Sequence, residues 1–300
     1  MSPPRRAVAL PPEIELLRPW QWSKNAAVFA GLVFAHRLGD PGSVRRSLLT
    51  FGAFCLASGA VYAVNDMVDR SRDALHPDKC RRPLPSGRLE VRQAAAVAVA
   101  AAGGALGLGV AVGERLLLAL AAFAVLQAVY NLVARRVAIL DVVVLALGFV
   151  LRVAAGAWVL EVEVSPWLPV CTLNLALFLA LAKRRSELAR MGDAAAEHRG
   201  SLSGYTLALL DQFLAVAAAA TLVTYALYTL AEQTVRKHGS HGLVWTLPFV
   251  VFGVFRYLRL VHRGDGGEEP DRLLWFDRPL LVSVAAWTAA VAAILRLGRG

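Results

Sequence analysis

The sequence predicts an all-α fold, a polytopic membrane bundle of about nine transmembrane helices. Of its 300 residues 57% are apolar and the mean hydropathy is +0.53, more apolar surface than a soluble core of this length can bury. The apolar residues fall in long blocks, at 25–38, 47–64, 94–112, 116–134, 138–160, 167–182, 206–231, 242–260 and 279–296. A hydrocarbon layer of roughly 30 Å asks for about 20 apolar residues per helix, and the short first block fits that length least well. Backbone groups in lipid must be satisfied within their own segment, and the blocks lack the period-2 alternation of a membrane barrel, so helices follow.

The third observation is where the charge lies. The net charge of +10 could suggest nucleic acid, but the basic residues do not gather on one soluble module. They recur in alternate connections: 23 of the 32 Lys and Arg lie in 1–25, 65–93, 135–136, 183–205 and 256–278. That is a topology signal, with those segments and the N-terminus cytoplasmic and the C-terminus outside. A tail and an interfacial helix, from about Pro12 to Trp20, occupy 1–24, and one membrane domain occupies 25–300. Cys55, Cys80 and Cys171 are odd in number and form no CxxC pair, so they read as small core residues. No GxxxxGK[ST], HExxH or GxSxG sequence is present, which removes support for a P-loop, a zincin or a serine hydrolase.

The densest charge follows the second block, from Asn65 to Pro83. If the helix continues to His76 and stops before Pro77, then Asn65, Asp69 and Asp73, spaced by four, share one face. Mg²⁺ takes octahedral oxygen ligands, usually one or two carboxylates plus substrate phosphates, which is what this stripe with Asp66 beside it offers. Lys79, Arg81 and Arg82 then supply donors for the outer phosphate oxygens. The plainer alternative is that Asp69 and Asp73 pair with Arg70 and Arg72 on a solvated helix end. A polar run that directly continues a membrane helix is expensive unless it is used, which favours the metal.

Other candidates lie at the cytoplasmic ends of further blocks. Lys24 follows two tryptophans, Trp20 and Trp22, that suit the membrane interface. Tyr130, Arg135 and Arg136 end the fourth block, and Asp141 and Arg152 lie in the fifth, where a guanidinium at depth should face the bundle interior and have a partner. Lys183, Arg184 and Arg185 end the sixth; Lys183 and Glu187 are an i, i+4 pair, with the two arginines expected to point elsewhere. The loop continuing through Arg190, Asp193, Glu197, His198 and Arg199 has room to act as a lid.

The run from Asn65 to Asp73 resembles the first signature of the UbiA superfamily of intramembrane prenyltransferases, which hold Mg²⁺ on a diphosphate. Within it, RPWQWSKN at 18–25, HPDKCRRPLPSG at 76–87, DVVVLALGFVLRVAAGA after Tyr130, LAKRRSEL at 181–188 and FRYLRLVH with EEPDRLLWFDRPLL at 255–281 are most similar to the decaprenyl-phosphate phosphoribosyltransferases. The resemblance spans nearly the whole chain. Arg135 stands where that subgroup leads one to expect lysine, which keeps the charge but not the geometry. The resemblance implies a UbiA-like bundle in a bacterial plasma membrane, with Mg²⁺ on Asp69 and Asp73 and Asn65 and Asp66 near. It implies phosphoribosyl diphosphate (PRPP) as donor, a polyprenyl phosphate as acceptor, a role in arabinose-donor lipid and cell-wall glycan synthesis, and a trimer. Lys183 to Glu187 replaces the second acidic motif of the prenyl-transferring members with a basic run, which suits direct contact with phosphate. An aromatic prenyltransferase and a transporter are the rival readings; the absence of repeated halves counts against the second.

Overall fold

The computed structural model describes residues 10–75, 79–163, 165–191, 200–263, 273 and 277–297. The expected N-terminal tail, His76 to Asp78, the lid residues 192–199 and most of 264–276 lie outside the described residues. Every regular element among the described residues is helical, and seven helices are long and apolar enough to cross a membrane. The protein is a multi-pass membrane protein. The chain divides into two compact units, Met1–Gln127 with Ala155–Val162, and Ala128–Ala154 with Glu163–Gly300.

The first unit opens with α1 (Pro12–Leu16), a 3₁₀ segment (Pro19–Phe29) and α2 (Ala30–Phe34). The single helix expected over 25–38 is not formed, because the chain winds more tightly. Of that block, 25–29 belong to the 3₁₀ segment and 30–34 to α2, and the seven helices long and apolar enough to cross a membrane do not include them. Asn25 is buried in this segment, donating to Cys55 Sγ at 3.4 Å and accepting from Ser58 Oγ at 3.4 Å.

α3 (Pro41–Val68) starts at Asp40, whose carboxylate accepts from Ser43 Oγ at 2.6 Å, Ser43 N at 3.1 Å and Gly42 N at 3.2 Å. The Ser43 and Gly42 donors hold the Asp40 carboxyl below its ordinary range. At its far end the helix does not run unbroken to His76. It breaks at Asp69 (φ −91°, ψ 7°), resumes as α4 (Arg70–Ala74) and stops at Leu75. The four-residue spacing survives the break, since Asp69 N donates to Asn65 O at 2.9 Å and Asp73 N to Asp69 O at 2.8 Å. α5 (Val91–Val112) begins with the reciprocal Glu90–Gln93 capping box. Gly113, at φ 128°, then turns the chain into α6 (Glu114–Leu132), a conformation that favours glycine. Leu16, Leu84 and Leu89 join Ala63, Ala94 and Ala98 in a buried core that fixes the loop after α4 against α3 and α5.

The second unit holds most of α7 (Leu140–Leu160), then α8 (Trp167–Met191), a 3₁₀ turn at Gly200–Gly204 and α9 (Leu207–Leu230). α10 (Glu232–His238), a 3₁₀ turn at Gly242–Thr246, α11 (Leu247–Arg263) and α12 (Arg278–Leu297) follow. Its core gathers Val142, Phe178, Leu210, Leu214, Tyr257 and Val261. Thr206 caps α9 through Leu209 N, at 3.1 Å.

Asp277 caps α12 through Leu280 N at 2.9 Å and receives Arg256 on both oxygens, at 3.1 and 2.7 Å. Arg256 above all, and the helix-end amide, hold this carboxyl below its ordinary range. A depressed carboxylate stabilises the fold above its unfolded pKa, and that contribution disappears as pH falls through the folded value. In thermal melts, Asp277→Asn is therefore expected to lower the melting temperature at neutral pH, with the gap to the parent protein closing below about pH 4.

Candidate active site

The charged residues after α3 form one cluster in the first unit. Asp66, buried at the last turn of α3, accepts from Arg18 at 2.5 Å and from Arg82 at 3.1 Å. Asp73, buried on α4, accepts from Arg82 at 2.6 Å and lies 3.7 Å from Lys79 Nζ. Arg82 thus bridges two carboxylates, while Asn65 and Asp69 sit half-buried on the neighbouring turns. Arg18 is held from the other side by the Tyr62 ring, 5.0 Å from its guanidinium carbon. Burial lowers the Arg18 pKa and Asp66 opposes that shift, so the arginine depends on its carboxylate partner.

Arg18 is a residue the sequence reading passed over. It lies in the RPWQWSKN run, but its partner is 48 residues away, and a cation beside two interface tryptophans gives no sign of which carboxylate it meets. Lys24 lies half-buried in the 3₁₀ segment that follows.

The basic run of the second unit differs from its expected form. Arg184 is 1% exposed; its Nε donates to Asp141 at 2.7 Å and its NH1 to Glu187 at 2.5 Å, so it does not point away from Glu187. Arg185 donates to Asp211 at 2.5 Å, where His262 Nε2 also lies 3.2 Å away. Lys183, 4.0 Å from Glu187, is the more exposed member of the three. The run is basic in sequence but largely neutralised in space, by Glu187 on its own helix and by Asp141 and Asp211 on two others. The Tyr130 phenol lies within electrostatic reach of Arg184, Arg135 is half-buried in a 3₁₀ turn, and Arg152 is buried with NH1 on Gly148 O at 2.7 Å.

Among the described residues, no three His, Cys, Asp or Glu side chains come together as a complete metal cluster. Asp69 and Asp73, with Asn65 one turn earlier, fit the smaller protein share of a Mg²⁺ site whose other ligands are phosphate oxygens. Arg82 and Lys79, both on Asp73, add cationic donors of the kind that would engage such oxygens.

Residues 26–295 match the UbiA prenyltransferase family. A decaprenyl-phosphate phosphoribosyltransferase of Corynebacterium glutamicum is 30% identical over 93% of this chain and 85% of its own length. One of Mycobacterium tuberculosis is 30% identical over 99% of this chain and 98% of its own. In structure, a UbiA homologue from Archaeoglobus fulgidus bound to GPP and Mg²⁺ superposes with a TM-score of 0.72 at 20% identity, covering 95% of this chain and 99% of that one. The helical membrane fold and a match over nearly the full length agree: the chain is an enzyme, a membrane-embedded transferase, and it belongs to the UbiA prenyltransferase family.

Proposed function

We propose that this chain transfers 5-phosphoribosyl from PRPP to a polyprenyl phosphate, decaprenyl phosphate in particular, in a Mg²⁺-dependent reaction that releases diphosphate. The observation that carries this reading is the placement of Asp69 and Asp73 one helical turn apart with Arg82 and Lys79 on the same cluster. A diphosphate bound through a divalent cation needs that mixture of carboxylate and cation. Relatives named for phosphoribosyl transfer support the choice of substrates.

Asp69 and Asp73, with Asn65 near, would hold the Mg²⁺, which supplies charge neutralisation on the departing diphosphate. Arg82 and Lys79 offer donors to its remaining oxygens, and Asp66 keeps Arg82 and Arg18 oriented. The C1–oxygen bond breaks with its electron pair leaving on diphosphate, while an oxygen of the lipid phosphate forms the new bond to C1 from the opposite face. An ionised phosphate needs no general base and no protein nucleophile, so the chain's work is positioning and electrostatic stabilisation. Lys24, Tyr130, Arg135, Arg152 and Lys183 are the candidates for the lipid phosphate and the ribose 5-phosphate; Arg184, with its donors on Asp141 and Glu187, is not among them. Residues 25–300 serve as one catalytic domain, with the N-terminus and the charged loops at the cytoplasmic face of the plasma membrane, and the C-terminus outside.

PRPP with Mg²⁺ is expected to raise the melting temperature of the detergent-solubilised protein, by the linkage of binding to folding, and EDTA to remove the gain. A gain with a prenyl diphosphate and none with PRPP contradicts the proposal.

A further inference from the structure

We propose that Asp141 is a positioning residue: through Tyr205 and Arg184 it holds the turn 134–139 in a strained conformation and so sets where Arg135 presents its charge. The clause about Arg135 rests on the phosphate-binding reading above. The geometry of the turn does not.

Asp141 is 0% exposed at the start of α7. Its Oδ2 accepts from Arg184 Nε at 2.7 Å and Ser201 Oγ at 3.0 Å, and its Oδ1 accepts from the Tyr205 hydroxyl at 2.8 Å. The same hydroxyl accepts from the backbone N–H of Ile139 at 2.6 Å. Two segments distant in sequence, α8 and the 200–205 turn, therefore meet on one carboxylate, and the loop before α7 joins them through the Tyr205 hydroxyl.

Ile139 has φ 70°. A β-branched residue is a genuine outlier in the left-handed region, and such strain persists only where surrounding structure over-determines it. Its own side chain is 52% exposed and gains little from packing. What holds it is the bond from its amide to Tyr205, together with the close approach of Gly204 to the turn. A Cβ on Gly204 would lie 2.7 Å from Ala138 Cβ. Burial pushes the Tyr205 phenol up from its ordinary value, so it stays protonated and keeps donating to Asp141.

This arrangement gives Arg184 a different task from the one its sequence suggests. Charge buried between Asp141 and Glu187 orients Asp141, and a guanidinium with its donors so committed is costly to redirect toward a substrate. Ala134, fully buried, closes the other end of the turn, so Arg135 sits between two fixed points.

Tyr205→Phe removes one hydroxyl and leaves the packing. Amide hydrogen exchange of 134–140 is expected to rise about tenfold or more, with exchange in α9 unchanged. In turnover, KM for PRPP or decaprenyl phosphate should rise up to about tenfold while kcat changes little. Adding Ile139→Gly, which adopts φ 70° without a Cβ clash, should restore KM. Unchanged exchange, or no rescue by glycine, overturns the proposal. Should the protein not turn over PRPP at all, the exchange measurement still decides the positioning claim, which separates the two failures. Arg184→Gln in an Asp141→Asn background is expected to raise KM no further; an additive loss would show that the guanidinium meets substrate directly.

Discussion

Alanine at Asp69 is expected to lower the rate of transfer by at least about 10²-fold while leaving the fold intact. Asp69 is half-buried at the joint between α3 and α4, and its backbone N–H and carbonyl, not its side chain, make the helical bonds to Asn65 and Asp73. On the proposed reading the carboxylate is a metal ligand, and because Asp69 is only half-buried, transfer should fall much further than the melting temperature. Asp73→Ala should be equally inactive but also less stable. Asp73 is buried and holds Arg82 and Lys79, and its loss leaves Arg82 on Asp66 alone, at a cost of about 1–3 kcal/mol. Initial rates and thermal melts on the two variants separate these effects. Full activity in both with Mg²⁺ present removes the metal assignment.

Gly156→Ala is expected to prevent the first unit from forming its native packing. A Cβ at Gly156 would stand 1.9 Å from Val28 O and 2.7 Å from Val28 C, and one at Gly31 would stand 2.8 Å from Ala157 N. These obstacles are backbone atoms on both sides, so no rotamer change relieves them. Overpacking costs about 1–3 kcal/mol even where side chains can yield, and more is expected here. The segment displaced is the 3₁₀ stretch that carries Lys24 and the buried Asn25, so activity should fall with stability. Gly107→Ala is the control. Gly107 lies on α5 with nothing within 4 Å, where alanine removes backbone freedom from the unfolded chain and should leave or raise the melting temperature. Size-exclusion profiles and melts of the two variants should diverge in opposite directions.

What the sequence reveals and what it hides divide along a physical line. Long apolar blocks read as helices because lipid leaves the backbone no other solution. The first block does not form the one helix expected of it, because apolar patterning marks a helical segment without distinguishing 3₁₀ from α winding. The four-residue spacing of Asn65, Asp69 and Asp73 survives in the backbone, although the break at Asp69 turns Asp73 inward to Arg82 in a way that periodicity does not encode. Arg184 and Arg185 read as part of a basic phosphate-facing run because their partners, Asp141 and Asp211, come from other helices 43 and 26 residues away. A signal did exist: a carboxylate such as Asp141, set into an apolar helix, requires a cation, and an adjoining helix ended in three. The basic character of that run is therefore weaker support for phosphoribosyl transfer than its composition implies, and the weight rests on the Asp69–Asp73 cluster with Arg82 and Lys79.

The measurement that tests this most directly is the product formed by purified protein given Mg²⁺, PRPP and decaprenyl phosphate. Phosphoribosylated lipid and free diphosphate in equal amounts, dependent on Mg²⁺ and absent in Asp69→Ala, are the expected result. No such lipid, alongside turnover of a prenyl diphosphate with an aromatic acceptor by the same preparation, would contradict it.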